Sequence, residues 1–394
     1  MFTDVTTGSH FNDAGYIKGI IASNFSNPDL KWETTEQINL GLDYGMWKGR
    51  LTFSVDAYYK TTYDLLQARY VPLVSGYSTR WMNVGTISNR GFEVSTEITP
   101  VRTKNFEWNV SGNFSVNRNR LDSIGFDVDT IEIPMRDGTT KTARYYLGST
   151  LGSNIYFNGY VGNIFIEGEQ LGYFYGIATD GIVQEGEEGV PLTEGGTPGK
   201  AGRVNYLDLN GNGYIDENDR TIIGNPNAGF TYGFNTSLSY KRLTLTAAFQ
   251  GVGDKQILNA NLAQEWDPCY STANNFLREA YYGAWTPDNP SNKFMRLNAN
   301  TNSQRYFNVD RYVQDASYLR LSSVALTYNF QMPKKFFIKN ITAGASIQNV
   351  YVWTNYSGWD PKVSSFGSSM MRMGIDCGSY PSARTYCFDL KFTF

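Results

Sequence analysis

Twelve residues, Asp208-Leu-Asn-Gly-Asn-Gly-Tyr-Ile-Asp-Glu-Asn-Asp219, carry oxygen donors at a spacing that suits a hard cation. With Asp208 as position 1, Asn210, Asn212, Asp216 and Asp219 fall at positions 3, 5, 9 and 12, and the Tyr214 carbonyl at 7. Calcium takes six to eight oxygens, and Gly213 at position 6 permits the sharp turn such a loop needs. Position 12 is Asp where a longer, bidentate Glu gives tighter binding, so the expected Kd lies in the extracellular-module range, roughly 10⁻⁴–10⁻³ M. The same Asn/Gly/Asp run also forms an Asx turn with no metal. Nothing helical flanks the loop, so either reading makes it a structural staple and not a sensor that opens.

Reactive chemistry is otherwise sparse. The one histidine, His10, sits in a Gly/Ser/Asn-rich context that reads as an exposed loop. The three cysteines, Cys269, Cys377 and Cys387, lack the spacing of a zinc site or a disulfide framework. With no second imidazole to build an acid–base centre, the chain reads as a non-enzyme. Lys+Arg at 34 against Asp+Glu at 37 gives no electrostatic case for nucleic acid. No apolar run approaches the length of a membrane helix, and no basic-then-apolar segment opens the chain.

The elements that must position the loop follow period two. Ile38, Leu40, Leu42 and Tyr44 share one face, with Asn39, Gly41 and Asp43 on the other. Leu51–Lys60, Gly91–Ile98 and Phe106–Asn117 repeat the alternation, as do 229–240, 243–252, 317–330, 340–353 and 384–394. Phase slips near Ser322-Ser323, as at a β-bulge. Short connections at 48–50, 100–105, 241–242 and 331–339 alternate with long ones at 68–86, 119–228, 254–316 and 354–383. Aromatics gather at the short-turn ends, among them Trp47, Trp108, Tyr240 and Phe330. A polar inner face, an apolar outer face and alternating turn lengths describe a transmembrane β-barrel with its long loops outside the cell. The last strand ends on Phe394, like the C-terminal aromatic by which barrels are recognised for insertion.

The expected fold class is therefore all-β, an antiparallel transmembrane barrel contributing about nine strands. Residues 1–35 read as an extracellular N-terminal segment and 36–118 as strands one to four. Residues 119–228 read as a long extracellular region holding the 208–219 loop, and 229–394 as strands five to nine. Leu171–Ile177 and Gly181–Gln184 are expected to form a hairpin above the membrane. An odd strand count, entered from outside, describes the C-terminal portion of a larger barrel.

Five motifs resemble the SusC/RagA group of TonB-dependent outer-membrane transporters of Bacteroidetes. They are Asn27–Glu33, Ser88–Glu93, Tyr206–Pro226, Tyr318–Leu321 and Gly374–Thr385, in family order along the chain. The resemblance implies a 22-stranded barrel around a plug, with the plug and the TonB-contacting segment outside these residues. It implies import of oligosaccharides with a SusD-like surface lipoprotein, and coupling to the TonB system. Candidate substrate contacts in the outer loops are Tyr173, Tyr175, Trp266, Tyr270, Tyr281, Tyr282 and Trp285. Their aromatic faces suit sugar rings, but they could equally pack the loops together. Asp267, Arg278, Arg305 and Asp310 would equally suit a peptide. A soluble, calcium-dependent carbohydrate-binding β protein is the alternative from another class.

Overall fold

The computed structural model describes residues 27–70, 74, 76–77, 79–151, 161–193, 197–266, 275, 277–297, 309–333 and 337–394. One sheet runs through the described chain in strict sequence order. Its strands are β1 (Thr34–Met46), β2 (Leu51–Tyr63), β3 (Thr86–Arg102), β4 (Phe106–Ser123) and β5 (Phe230–Tyr240). They continue as β6 (Leu243–Gly253), β7 (Tyr318–Gln331), β8 (Asn340–Thr354) and β9 (Thr385–Thr393). Every neighbouring pair is antiparallel. The sheet is open, with β1 and β9 as its two edges.

Register explains why the sheet is two-faced. One cross-strand row reads Met46, Leu51, Ile98, Val110, Thr236, Ala247, Val324, Ile347 and Tyr386. The row one residue away reads Gly45, Thr52, Glu97, Ser111, Asn235, Ala248, Ser323, Gln348 and Thr385. Since successive side chains point to opposite faces, a single-residue slip would exchange the two rows, so the pattern pins the register. Among the described residues nothing covers the apolar face: Leu40 is 76% exposed and Phe388 is 83% exposed. At Ser322 the pairing of β7 with both β6 and β8 shifts by one residue, the bulge expected from the sequence.

Some glycines in the wall are placed by aromatic neighbours. A Cβ on Gly91 would stand 2.2 Å from the Val116 carbonyl oxygen and 2.7 Å from the Tyr58 hydroxyl. Tyr58 is its cross-strand partner in β2, and its ring fills the space a side chain would take. At the tight end, Trp47, Lys48 and Gly49 all have positive φ, which turns β1 into β2 in four residues.

Most of the buried core lies outside the sheet. It is built from the long connections, which fold into a cap on one end of the wall. Its largest cluster joins Phe174, Ile177, Ile215, Leu258, Trp285, Tyr312 and Ile375, drawn from three different loops. Within the long connection between β4 and β5 a five-stranded sheet pairs Thr130–Pro134, Thr140–Leu147, Asn163–Ile166, Tyr173–Ile177 and Arg220–Gly224. Here the expectation of a hairpin between Leu171–Ile177 and Gly181–Gln184 is corrected. Tyr173–Ile177 already has a strand on each side, Asn163–Ile166 and Arg220–Gly224, so no edge remains for its sequence neighbour. Thr179–Ile182 pairs instead with Val204–Tyr206. β4 also runs on to Ser123, past the expected end at 118, because Leu121 continues the ladder opposite Ile87 above the membrane rim.

Candidate functional site at the outer loops

The 208–219 loop closes on its own carboxylates. Asp208 Oδ1 accepts from the N–H of Gly211 (2.7 Å) and Asn212 (3.2 Å), and Oδ2 from that of Gly213 (2.6 Å). Asp219 Oδ1 accepts from Leu209 (3.0 Å) and Asn210 (3.3 Å), and Oδ2 from Asp216 N–H (2.8 Å). Asn210 and Asn212 each accept from the N–H two residues on, and the Asn212 amide donates to Asp216 Oδ2 at 3.2 Å. Burial, and behind it the Asp208 charge, push the Asp219 carboxyl above its usual range in spite of these bonds. Ile215 at position 8 is buried in the main core cluster, and its N–H donates to the Leu192 carbonyl (2.7 Å).

Does calcium fit this donor set? Oxygen donors stand at the required positions, and burial with the Asp208 charge makes Asp219 costly to ionise, which a cation beside it would relieve. Among the described residues, however, no three acidic, histidine or cysteine side chains gather as a metal cluster. An ion here would be held by carboxylates together with the Asn210 and Asn212 amides and the Tyr214 carbonyl.

The aromatic candidates separate by burial. Trp285 is 2% exposed within the main cluster and donates from Nε1 to Gln184 Oε1 at 2.9 Å. Tyr175 is 4% exposed, and burial first of all pushes its hydroxyl up to about 12. Both pack the cap and present no face to a ligand. Tyr173 is half-buried beside Glu169. Trp266 meets Phe294 edge-on at 5.6 Å, with Lys293 5.0 Å from its ring centre. Tyr281 and Tyr282 stand exposed as a T-shaped pair, 5.2 Å apart, and Tyr282 is 69% exposed with Arg278 5.5 Å over its ring. Tyr270, with Asp267 and Arg305, lies outside the described residues.

Beside this pair lies an open cleft of about 500 Å³, lined by Asn259, Asn261, Glu265, Leu277, Arg278, Glu279, Ser357, Gly358 and Trp359. Trp359, absent from the sequence-based candidates, is 77% exposed there. The signal in sequence was a Gly-Trp-Asp-Pro run, whose next residue, Asp360, is tied down to the wall. Burial, then the charges of Asp376 and Glu279, raise the Glu265 carboxyl, so this wall of the cleft favours a cationic or hydrogen-bonding guest. Asp376 anchors the neighbouring motif: Oδ1 accepts from Gly378 and Ser379 N–H, both 3.0 Å, and Oδ2 from the Tyr356 hydroxyl at 2.7 Å. Arg384 donates to the Val350 carbonyl at 2.6 Å, closing that segment onto β8.

The family model for the β-barrel of TonB-dependent receptor-like proteins matches residues 5–350. The chain belongs to the TonB-dependent receptor β-barrel family. A TonB-dependent receptor of Formosa agariphila is 32% identical over 96% of this chain and 36% of its own length. The TonB-dependent receptor SusC of Bacteroides thetaiotaomicron is 27% identical over 93% of this chain and 32% of its own. A solved structure of the RagAB peptide transporter superposes with a TM-score of 0.73 at 23% identity, over 100% of this chain and 38% of that one. At that identity the likeness speaks for the fold. The chain thus spans about a third of the length of the relatives it matches. Membership places this barrel portion in the outer membrane, and the curated relatives it matches are named as TonB-dependent receptors. Its nine-stranded sheet is barrel wall of that family.

Proposed function

We propose that this chain forms the C-terminal wall and outer cap of a SusC-like importer of oligosaccharides, working with a SusD-like surface lipoprotein and the TonB system. One observation carries the substrate reading. Trp359 leaves a flat aromatic face open in a cleft that Asn261 also lines, and Arg278 of that cleft lies over the ring of the exposed Tyr282. An apolar face with a few placed polar groups is how compact ligand sites gain orientation. Calorimetric titration of the detergent-purified protein with oligosaccharide pools tests this. Trp359→Ala is expected to weaken binding about tenfold, a loss of ~1.4 kcal/mol; an unchanged isotherm refutes it.

A peptide importer is the second reading, favoured by Glu265, Glu279 and Arg278 in the same cleft. Opposite charges lining one cleft suit a zwitterionic chain. Binding of a tryptic peptide pool, lost in Arg278→Ala and absent for oligosaccharides, would select it.

We further propose calcium as a structural ion of the 208–219 loop. Titration with CaCl₂ is expected to give a Kd of roughly 10⁻⁴–10⁻³ M, lost in Asp208→Ala. No uptake at millimolar calcium leaves the loop as a self-closed Asx turn.

A further inference from the structure

The short-turn end of the wall carries a one-signed charge pattern. Antiparallel pairing brings four connections to that end: 47–50, 103–105, 241–242 and 332–339. The first holds Lys48 and Arg50, the second Lys104 with Arg102 just before it, and the third Lys241 and Arg242. No Asp or Glu falls in any of the four, although the chain as a whole is acidic, at −3. Arg102 pairs with Glu107 at 3.3 Å and Arg242 donates to the neutral Gln331 at 2.8 Å. Among the described residues Lys48, Arg50, Lys104 and Lys241 make no ion pair.

These cations stand level with the aromatic edge of the apolar face. Trp47 and Tyr240 are both more than half exposed, and Lys241 sits 5.3 Å from the Tyr240 ring centre. Tyr328 and Phe330 continue the band at the end of β7. Such rings mark the depth of the headgroup layer in a bilayer, and Lys and Arg at that depth attract anionic lipid. A cleft of about 760 Å³ lies at the ends of β1, β2 and β3. Its lining combines Lys48, Arg50 and Arg102 with Trp47, Ile98 and Pro100, so basic and apolar groups share one recess.

We propose that this recess binds the phosphate headgroup of an anionic phospholipid in the leaflet facing the short turns. Lys48, Arg50 and Arg102 take the phosphate, and Trp47, Ile98 and Pro100 take the glycerol and the first acyl carbons. The neighbouring Lys241 extends the basic collar to a second headgroup.

Native mass spectrometry of the protein in a neutral detergent, with phosphatidylglycerol and phosphatidylcholine at equal concentration, tests this. Phosphatidylglycerol is expected to be retained about tenfold over phosphatidylcholine, and the preference is expected to vanish in the Lys48→Gln/Arg50→Gln/Arg102→Gln variant. The charge-preserving set Lys48→Arg/Arg50→Lys/Arg102→Lys is expected to keep it. A second arm needs no variant: raising salt to about 1 M, where the screening length is only ~3 Å, releases phosphatidylglycerol from the wild type. Equal retention of the two lipids, a preference that survives in the Gln variant, or a salt-insensitive preference overturns the proposal. So does displacement of phosphatidylglycerol by millimolar inorganic phosphate or by an acidic peptide, which would assign the recess to a free anion or to a protein partner.

Discussion

Arg320 of β7 and Asp360 of the last outer loop meet 2.5 Å apart, with each side chain 5% exposed. The pair fastens the cap to the wall. Asp360 also accepts from the N–H of Lys362 (2.9 Å) and Ser382 (3.3 Å), and Lys255 donates to the adjoining Pro361 carbonyl at 3.0 Å. The same loop presents Trp359, so the position of an exposed aromatic face rests on a buried ion pair one residue away.

Asp360→Asn leaves a buried guanidinium without its counter-charge, and loss of one partner of such a pair costs about 3–5 kcal/mol. The expected result is faster tryptic cleavage within 355–384, with the wall strands protected. The pH dependence follows from the direction of the shift. Burial alone would raise the Asp360 carboxyl, but the Lys362 and Ser382 hydrogen bonds and the Arg320 charge outweigh it and hold it below the ordinary 3.8. A group depressed on folding contributes its full stability above the unfolded value and loses it as pH falls through the folded one. Cleavage of the wild-type loop is therefore expected to rise below pH 3.8, within the range of an acid protease such as pepsin. Asp360→Asn is expected to lack this step.

Gly91→Ala places a methyl group against the Val116 carbonyl and the Tyr58 ring. Overpacking of this kind costs about 1–3 kcal/mol. The variant is expected to unfold at lower urea concentration in heat-modifiability gels, and Gly91→Ala with Tyr58→Ala to recover only part of the loss, since the carbonyl contact remains.

Trp285 and Tyr282 should divide stability from binding. Trp285→Ala opens a cavity in the main core cluster, at a cost of about 3–5 kcal/mol, seen as a lower melting temperature of the cap. Tyr282→Ala touches no core and is expected to change stability by less than about 0.5 kcal/mol, while weakening the ligand selected in the titrations above.

Legibility in the sequence followed the range of the interaction. The nine wall strands could be read because each carries its own period-two pattern over seven or more residues, and one face of every strand is apolar whichever partner it meets. Even the bulge at Ser322 showed as a local slip of phase. The cap could not be read this way. Tyr173–Ile177 looked like half of a hairpin, but Arg220–Gly224 reaches it from more than forty residues on and occupies the needed edge. Trp285 and Tyr282 have the same aromatic character in sequence, yet one is core and the other surface, because burial in the cap is decided by strands and loops far away along the chain. Trp359 went unnoticed for the same reason: what exposes it is the anchoring of Asp360 to Arg320. The 208–219 loop was legible as a donor pattern, and its backbone bonds show how it closes.

The two-faced sheet is a membrane wall with lipid on one face and water on the other. Spin labels placed singly along β4 from Phe106 to Asn117, with the protein in bilayers, test it most directly through accessibility to oxygen and to a water-soluble nickel chelate. Oxygen accessibility is expected to peak at 108, 110, 114 and 116 and nickel accessibility at 109, 111, 113 and 115, alternating residue by residue. Alternation with equal nickel access on both faces, or no alternation at all, would contradict the account.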